Sequence, residues 1–235
     1  MVHVGLSGFS YKPWQGEGRF YPADLKQKEF LSYYSTRYDA VEMDGTWYRM
    51  PTEAAVDSWK QTAPDRFTFC CKVHRDISHM RRLKPESQES LKFMQERIAP
   101  LAQANKLGPL LVQLPPNMKR NDDRLAEFLA AAPKSHRYAL EFRHESWVSD
   151  EIEAILRSNN AAWVAAETDE DKAVRRDTAD FAYCRLRKSE YESGELTDWA
   201  AYLKALDKSA YVFLKHEDEG APWIFADELW AKLYG

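Results

Sequence analysis

The stretch that decides the fold reads Arg137-Tyr138-Ala139-Leu140-Glu141-Phe142 and is followed at once by Arg143-His144. Side chains alternate between the two faces of a strand, so Tyr138, Leu140 and Phe142 share one apolar face. The other face carries Glu141 and then Arg143. This pattern predicts a strand that packs its apolar face against helices and presents polar side chains where it ends.

The same pattern occurs seven more times, with helix-like segments between most of the stretches. These stretches are Val2–Ser7, Asp39–Met43, Phe67–Val73, Pro109–Leu114, Ala162–Ala166, Phe181–Leu186 and Ala210–Lys215. Strand followed by helix, eight times over, predicts an α/β fold, a (β/α)8 TIM barrel that forms a single domain over residues 1–235. The segment from Thr168 to Asp180 is charged and weakly periodic, so the sixth helix is predicted to be short or missing.

Composition and charge limit the class of protein. The 235 residues are 44% hydrophobic and 30% charged, which is typical of an ordinary soluble protein. A net charge of -4 argues against a protein that coats nucleic acid nonspecifically. No apolar window approaches the length of a membrane span, and the first residues do not resemble a secretion signal, so we expect a cytoplasmic protein without a membrane partner. Three cysteines are expected as reduced thiols, and nothing in the sequence indicates a protein partner.

Polar side chains at the strand ends are the candidate site. The inward-facing set is Ser7, Glu42, Lys72, Gln113, Glu141, Glu167, Arg185 and Lys215. Ionised side chains are rarely buried without a partner, so this set is either an internal salt-bridge network or a functional pocket. Barrel enzymes place their sites at the carboxyl ends of the strands, which favours the pocket.

Several cations in this set suggest an anionic ligand. Glu141 and Arg143 share a face, and so do Arg185 and Arg187, with Lys72 on a third strand. An arginine fork suits phosphate or carboxylate oxygens, although Glu141 and Arg143 could instead satisfy each other. The side chains predicted to bind the ligand through polar groups are Lys72, Gln113, Arg143, Arg185 and Lys215.

Candidate catalytic groups lie among the same strand ends. Glu42 and Glu141 are the candidate acid and base, and His79 or His144 is the candidate proton carrier. Glu42, Asp44 and Glu141, with His74, His79, His144 and His216 nearby, could also form a metal site. The histidines lack HxxxH or HxH spacing, so no metal ligand is assigned; the cofactor is unknown, a divalent metal stays open, and no organic cofactor motif is present.

Aromatic residues follow several strands. Trp14, Trp47, Tyr48 and Trp147 are predicted to line the mouth of the barrel and stack on a sugar or base. The alternative is that these side chains pack the loops onto the barrel rim.

A set of motifs along the whole chain resembles the DUF72 family, also called YecE-like. The motifs are Gly8-Phe9-Ser10-Tyr11 with Trp14 and Phe20-Tyr21-Pro22, Val41 to Arg49, Lys72 with Ile77-Ser78-His79, Leu110 to Pro116, Glu141-Phe142-Arg143-His144 with Ser146-Trp147, and Tyr211-Val212-Phe213. The chain departs from the family pattern at Asp44, where Asn is more frequent, and at Phe9, where Trp often occurs. The resemblance implies a TIM barrel in an uncharacterized family without an established activity.

The expected function is enzymatic, with the reaction class open between hydrolase and isomerase. The expected substrate is a small phosphorylated or carbohydrate-like anion, or a nucleic-acid end, bound at the carboxyl face of the barrel. One alternative is a non-catalytic module that binds sugar phosphates or single-stranded nucleic acid. The other is a metal-dependent phosphodiesterase that resembles endonuclease-IV-like barrels.

Overall fold

The computed structural model describes residues 1–215 and 220–235, within which eight parallel strands form a barrel. The strands are β1 (Val2–Ser7), β2 (Ala40–Met43), β3 (Thr68–Cys71), β4 (Leu110–Gln113), β5 (Tyr138–Glu141), β6 (Ala162–Glu167), β7 (Phe181–Leu186) and β8 (Ser209–Leu214). They pair in the order β3-β2-β1-β8-β7-β6-β5-β4. Backbone bridges from Phe69 to Leu107 and from Lys72 to Leu111 join β3 to β4. The predicted TIM barrel is therefore confirmed.

Helices cover most of the outside of the barrel. They are α1 (Phe30–Arg37), α2 (Gly45–Tyr48), α3 (Glu53–Thr62), α4 (Ser87–Gln103), α5 (Asp122–Ala131), α6 (Asp150–Ser158), α7 (Ser193–Lys204) and α8 (Pro222–Tyr234). Three of these helices have an N-cap side chain. Thr52, Asn121 and Ser149 each accept a hydrogen bond from a backbone N–H of the first turn. Residues 168–180 contain no helix, which confirms the reduced sixth connection.

The two faces of the strands pack into two separate apolar layers. Leu140 and its equivalents on the other strands pack against the helices. The inner layer fills the barrel with Ala40, Cys70, Leu111, Ala139, Ala162, Val164, Phe181, Tyr183, Tyr211 and Phe213. The prediction that Glu167 faces inward was wrong, because Ala166 faces the inner layer and the next side chain points outward. Glu167 Oε1 accepts a hydrogen bond of 2.8 Å from the indole N–H of Trp199 on α7.

The three cysteines lie inside the fold as free thiols. Cys70, Cys71 and Cys184 are free and buried, as expected. In the part of the chain that the structure describes, no helix combines the length and apolarity required to cross a membrane.

Candidate functional site

A buried ion triad lies directly above the inner apolar layer. Arg185 on β7 donates to Glu42 Oε1 from Nε at 3.1 Å and from Nη2 at 2.7 Å, and it donates from Nη1 to Glu141 Oε2 at 2.5 Å. Its side chain thus joins β2 to β5 across the barrel. The residue is 1% exposed, and Glu42 is fully buried. The two carboxylates compensate the free energy that is lost when the guanidinium is removed from water, because each of them is hydrogen-bonded to it.

Neutral groups also donate hydrogen bonds to the two carboxylates, so that all four carboxylate oxygens are bonded. Ser7 donates to Glu42 Oε1 at 2.8 Å, Tyr183 donates to Glu42 Oε2 at 2.8 Å, and Gln113 donates to Glu141 Oε1 at 2.8 Å. Burial opposes ionisation of Glu141, but the charges of Arg185 and Arg187 and the bond from Gln113 outweigh it and lower the pKa of this carboxyl. Glu141 therefore stays ionised at neutral pH.

This arrangement corrects the role predicted for Arg185. Its fork was expected to hold an anionic ligand, but two protein carboxylates occupy it. Gln113, also predicted to contact a ligand, orients Glu141 instead. Glu42 is enclosed by hydrogen bonds from three side chains, so its position suits a fixed charge better than a proton carrier.

A second ion pair lies one layer nearer the mouth. Lys72, just after β3, donates to Asp44 Oδ1 at 2.9 Å, and both side chains are largely buried. The ammonium group also lies 5.1 Å from the ring centre of Trp47. Burial lowers the pKa of Lys72, Asp44 raises it, and the nearby Arg185 lowers it further. Lys72 is thus a partly compensated cation in the region where the sequence predicted it.

Arg187 and Arg143 are two cations of this region that form no ion pair with the described part of the chain. Arg187 is half-buried above the triad, and Arg143 is exposed at the rim. Within residues 1–215 and 220–235, neither side chain makes an ion pair or a hydrogen bond, so the alternative in which Glu141 and Arg143 satisfy each other does not occur. Burial lowers the pKa of Arg187, the positive charge of Arg185 lowers it further, and the charges of Glu141, Glu42 and Asp44 partly oppose both effects. Arg187 is therefore a guanidinium that nearby carboxylates attract without bonding to it, and its half-buried position beside Arg185 would favour an added anion.

His79 lies in the loop after β3 and is held in one tautomer. Its Nδ1 accepts from the indole N–H of Trp47 at 3.3 Å and lies 2.9 Å from Ser78 Oγ. An indole N–H can only donate, so the neutral ring carries its proton on Nε2. Burial lowers the pKa of His79, and the charges of Lys72 and Arg143 lower it further. His79 therefore offers an Nε2–H donor to a cationic mouth.

The backbone that carries His79 is unusual. Asp76–Met80 form one turn of π-helix, and Arg82 and Leu83 follow with φ angles of 49° and 60°. π-turns and left-handed non-glycine residues cost conformational energy and occur often at functional sites. This backbone fixes the direction of His79 and sets Arg82 near enough to depress its pKa, after the larger effects of burial, Lys72 and Arg143.

The aromatic prediction was wrong for two of its four residues. Trp14 is fully buried and packs on Tyr11, Phe20 and Trp223. Trp147 is also fully buried, and its indole N–H donates to the carbonyl oxygen of Met118 at 2.7 Å. Both rings therefore fix loops to the barrel and have no face open to a ligand. Tyr48, in contrast, is 61% exposed and its ring packs on the edge of Trp47.

Lys215 and His144 lie at the rim rather than on the triad. Lys215 follows β8 and lies near Asp169, whose pKa is lowered first by hydrogen bonds from Ser189 and then by this lysine. His144 is half-buried, and its Nδ1 accepts from the backbone N–H of Ser146. This bond caps a short turn after β5. His144 also lines a cavity that lies between the ends of β5 and β6.

The described residues contain no cluster of side chains suited to bind a metal ion. In that part of the chain, no group of three or more His, Cys, Asp or Glu side chains is arranged to hold a metal ion. His216, one of the histidines considered from the sequence, lies outside the described residues.

Sequence reasoning missed Tyr183, and it placed Trp47 at the mouth without identifying the groups that this ring contacts. Tyr183 binds Glu42, and Trp47 contacts both Lys72 and His79. A signal for Tyr183 was available, because it lies two residues before Arg185 and so shares the inward face of β7. For Trp47 only the fold reveals the role, since its partners follow a different strand.

Comparison with known proteins agrees with this architecture. The sequence profile described as "Protein of unknown function DUF72" matches residues 3–234. UPF0759 protein YunF of Bacillus subtilis (strain 168) is 26% identical over 154 residues, which are 63% of this chain and 53% of that protein, so the match spans about half the length of YunF.

Solved structures extend the comparison to the whole fold. A DUF72 family protein from Thermotoga maritima MSB8 has a TM-score of 0.85 and 26% identity, with 100% of each chain covered. Another from Enterococcus faecalis V583 has a TM-score of 0.78 at 20% identity, with 99% of this chain and 97% of that chain covered. The second likeness concerns the fold alone.

Proposed function

The chain belongs to the DUF72 family, a family of unknown function, and we propose that it is an enzyme whose barrel mouth binds the phosphate group of a small molecule. The observation that carries this proposal is Arg187. Its guanidinium is half-buried, lies near the buried Arg185, and has no ion pair among the described residues. A phosphate dianion at this point would give the guanidinium the charge-assisted hydrogen bonds that the nearby carboxylates, already bonded to Arg185 or Lys72, do not give it.

Neighbouring groups would complete the phosphate site. Arg143 supplies a second guanidinium from the rim, and Lys72 adds positive field although Asp44 neutralises part of it. His79 would donate from Nε2 to a phosphate or ester oxygen. The triad lies below this site and would keep the Arg187 side chain from turning toward the barrel interior. The carboxylates of Glu42 and Glu141 are already bonded to Arg185 and leave no acidic partner there for Arg187.

Calorimetric titration with inorganic phosphate tests the proposal. Wild-type protein is expected to bind phosphate with an affinity that falls as salt rises, because the attraction is mainly electrostatic. Arg187→Ala is expected to weaken binding at least about tenfold, or about 1.4 kcal/mol. The matched control is Arg66→Ala, an exposed arginine just before β3 at the opposite end of the barrel. Absence of phosphate binding, or equal binding by Arg187→Ala and wild type, would reject the proposal.

A non-catalytic phosphate-binding module is the second candidate. The state of Glu42 and Glu141 favours it, because a carboxylate bonded to a buried arginine is poorly placed to exchange protons. Phosphorus-31 NMR of the protein incubated with phosphate esters distinguishes the two. An enzyme would convert the ester resonance into another, and His79→Gln would slow that conversion, whereas a binding module would only shift or broaden it.

A further inference from the structure

A cavity of about 470 Å³ opens beside the proposed phosphate site. Its floor is formed by the ends of β5 and β6, with Glu141 and Ala166, and Arg143 lies at its edge. The coil after β6 forms one wall, and the loop after β5 forms the other. The volume falls within the range of small-molecule sites in proteins. Because the cavity shares Glu141 and Arg143 with the mouth, a ligand bound through its phosphate can extend into it.

The cavity exists because the sixth connection is a coil. Residues 168–180 contain no helix, and Thr168, Asp171 and Val174 line the space instead. Regular helices cover the neighbouring strands on either side, α6 before β6 and α7 after β7. The reduced connection therefore makes room for a ligand at one point of the rim.

Aromatic rings border the cavity, but they pack on one another. Phe142 is stacked on Trp147 with ring centres 4.8 Å apart, and Trp163 packs on it at the same distance. Trp163 itself is 5% exposed. Nucleobase recognition normally uses an open aromatic face, and these rings are already occupied by one another.

The polar lining suits hydroxyl groups. Glu145, Glu170 and Asp171 line the cavity, and across residues 1–215 and 220–235 their carboxylates form no hydrogen bond or ion pair. Ionised carboxylates are pure acceptors, so they bind donors such as sugar hydroxyls and repel a second phosphate. Lys172 also lines the cavity, but with Glu141 the carboxylates there outnumber the two cations, Lys172 and Arg143. The more basic mouth would therefore orient a ligand with its phosphate on the arginines.

We infer that the cavity holds the polyhydroxylated part of a sugar phosphate. This inference rests on the proposed phosphate site, and it goes further by assigning the ligand class and the place of its hydroxyl-bearing half. The ligand so defined carries one phosphate and several hydroxyl groups and needs no nucleobase.

Calorimetry with four probes tests the inference. The probes are inorganic phosphate, D-ribose 5-phosphate, D-glucose 6-phosphate and AMP. At least one sugar phosphate is expected to bind about tenfold or more tightly than inorganic phosphate, and AMP is expected to bind no more tightly than that sugar phosphate. Equal affinity for inorganic phosphate and both sugar phosphates, or a preference for AMP, overturns the inference while leaving the phosphate site intact. Failure of every probe to bind rejects the proposed function itself.

Variants of the cavity separate its contribution from that of the mouth. Glu170→Gln combined with Asp171→Asn changes two exposed side chains, so folding should be preserved. This double variant is expected to lose most of the advantage of the sugar phosphate and to keep its affinity for inorganic phosphate. Glu127→Gln, an exposed carboxylate on α5, is the matched control. Arg187→Ala should weaken binding of every phosphate probe. If the double variant retains the full sugar-phosphate advantage, the cavity is not where the sugar binds.

Discussion

Replacement of Arg185 by Met should give a protein whose free energy of unfolding falls as pH rises. Ordinary acid unfolding has the opposite sign, because there stability falls as pH falls. Arg185 is the shared partner of Glu42 and Glu141, and all three side chains are buried. Methionine fills much of the arginine volume but removes the charge and the donors. Two buried carboxylates would then lie together without the cation that binds them both.

The magnitude follows from the burial of the pair. Loss of one partner from a buried ion pair typically costs about 3–5 kcal/mol, and we expect a loss in this range at neutral pH. In wild type the folded protein lowers the pKa of Glu141 below the value in the unfolded chain. Ionised Glu141 therefore contributes its full stabilising free energy above the unfolded pKa, and this stabilisation is lost as pH falls through the folded pKa. In Arg185→Met, burial without the cation raises the pKa of the carboxylate pair above its unfolded value.

The raised pKa gives the variant its pH dependence. Between the unfolded and the raised pKa the folded variant binds a proton that the unfolded chain does not. Its free energy of unfolding therefore falls as pH rises, by about 1.4 kcal/mol per pH unit for each proton bound.

Urea unfolding of wild type and variant across the range from mildly acidic to neutral pH measures this slope. The difference between the two proteins at each pH is the relevant quantity, because the same histidines titrate in both and cancel. Leu140→Ala is the matched control, since it truncates a fully buried side chain one residue from Glu141 and should cost about 2–5 kcal/mol without a pH-dependent difference. A stability difference for Arg185→Met that does not change with pH would refute the triad as an ionised, buried network.

Three further predictions concern the frame around the site. Gly5→Ala should destabilise the protein by more than the roughly 1–3 kcal/mol typical of overpacking, because the new Cβ would lie 2.0 Å from the carbonyl oxygen of Ala40; a folded variant with near wild-type urea stability contradicts this. Trp147→Phe should cost about 1–3 kcal/mol by leaving a buried carbonyl without its donor, yet bind phosphate normally; weaker binding in calorimetry would show that the ring contacts ligand. Nitrogen-15 NMR should show the His79 ring mostly neutral at pH 6.5 with its proton on Nε2, and a doubly protonated ring at that pH would rule out the assigned tautomer.

The sequence by itself determined the architecture and the location of the polar groups. The alternation of apolar and polar side chains in stretches such as residues 137–142 follows the period of a strand, and this period assigned Leu140 to the helix layer and Glu141 to the interior. The weak periodicity of residues 168–180 likewise predicted the missing sixth helix. These features are local, because the hydrophobic pattern of a segment reflects the surfaces that it covers.

Only the tertiary structure decided which polar groups pair. The sequence suggested Glu141 with Arg143, two residues apart, but side chains at such positions leave a strand in parallel and start about 6.6 Å apart. Closure of the barrel instead aims side chains from different strands at one point, so Arg185 meets Glu42 from 143 positions away in the chain. Closure also buried Trp14 and Trp147 in the packing around the barrel. Arg187 forms no ion pair with residues 1–215 or 220–235 for the same reason: Arg185 is already bonded to Glu42 and Glu141.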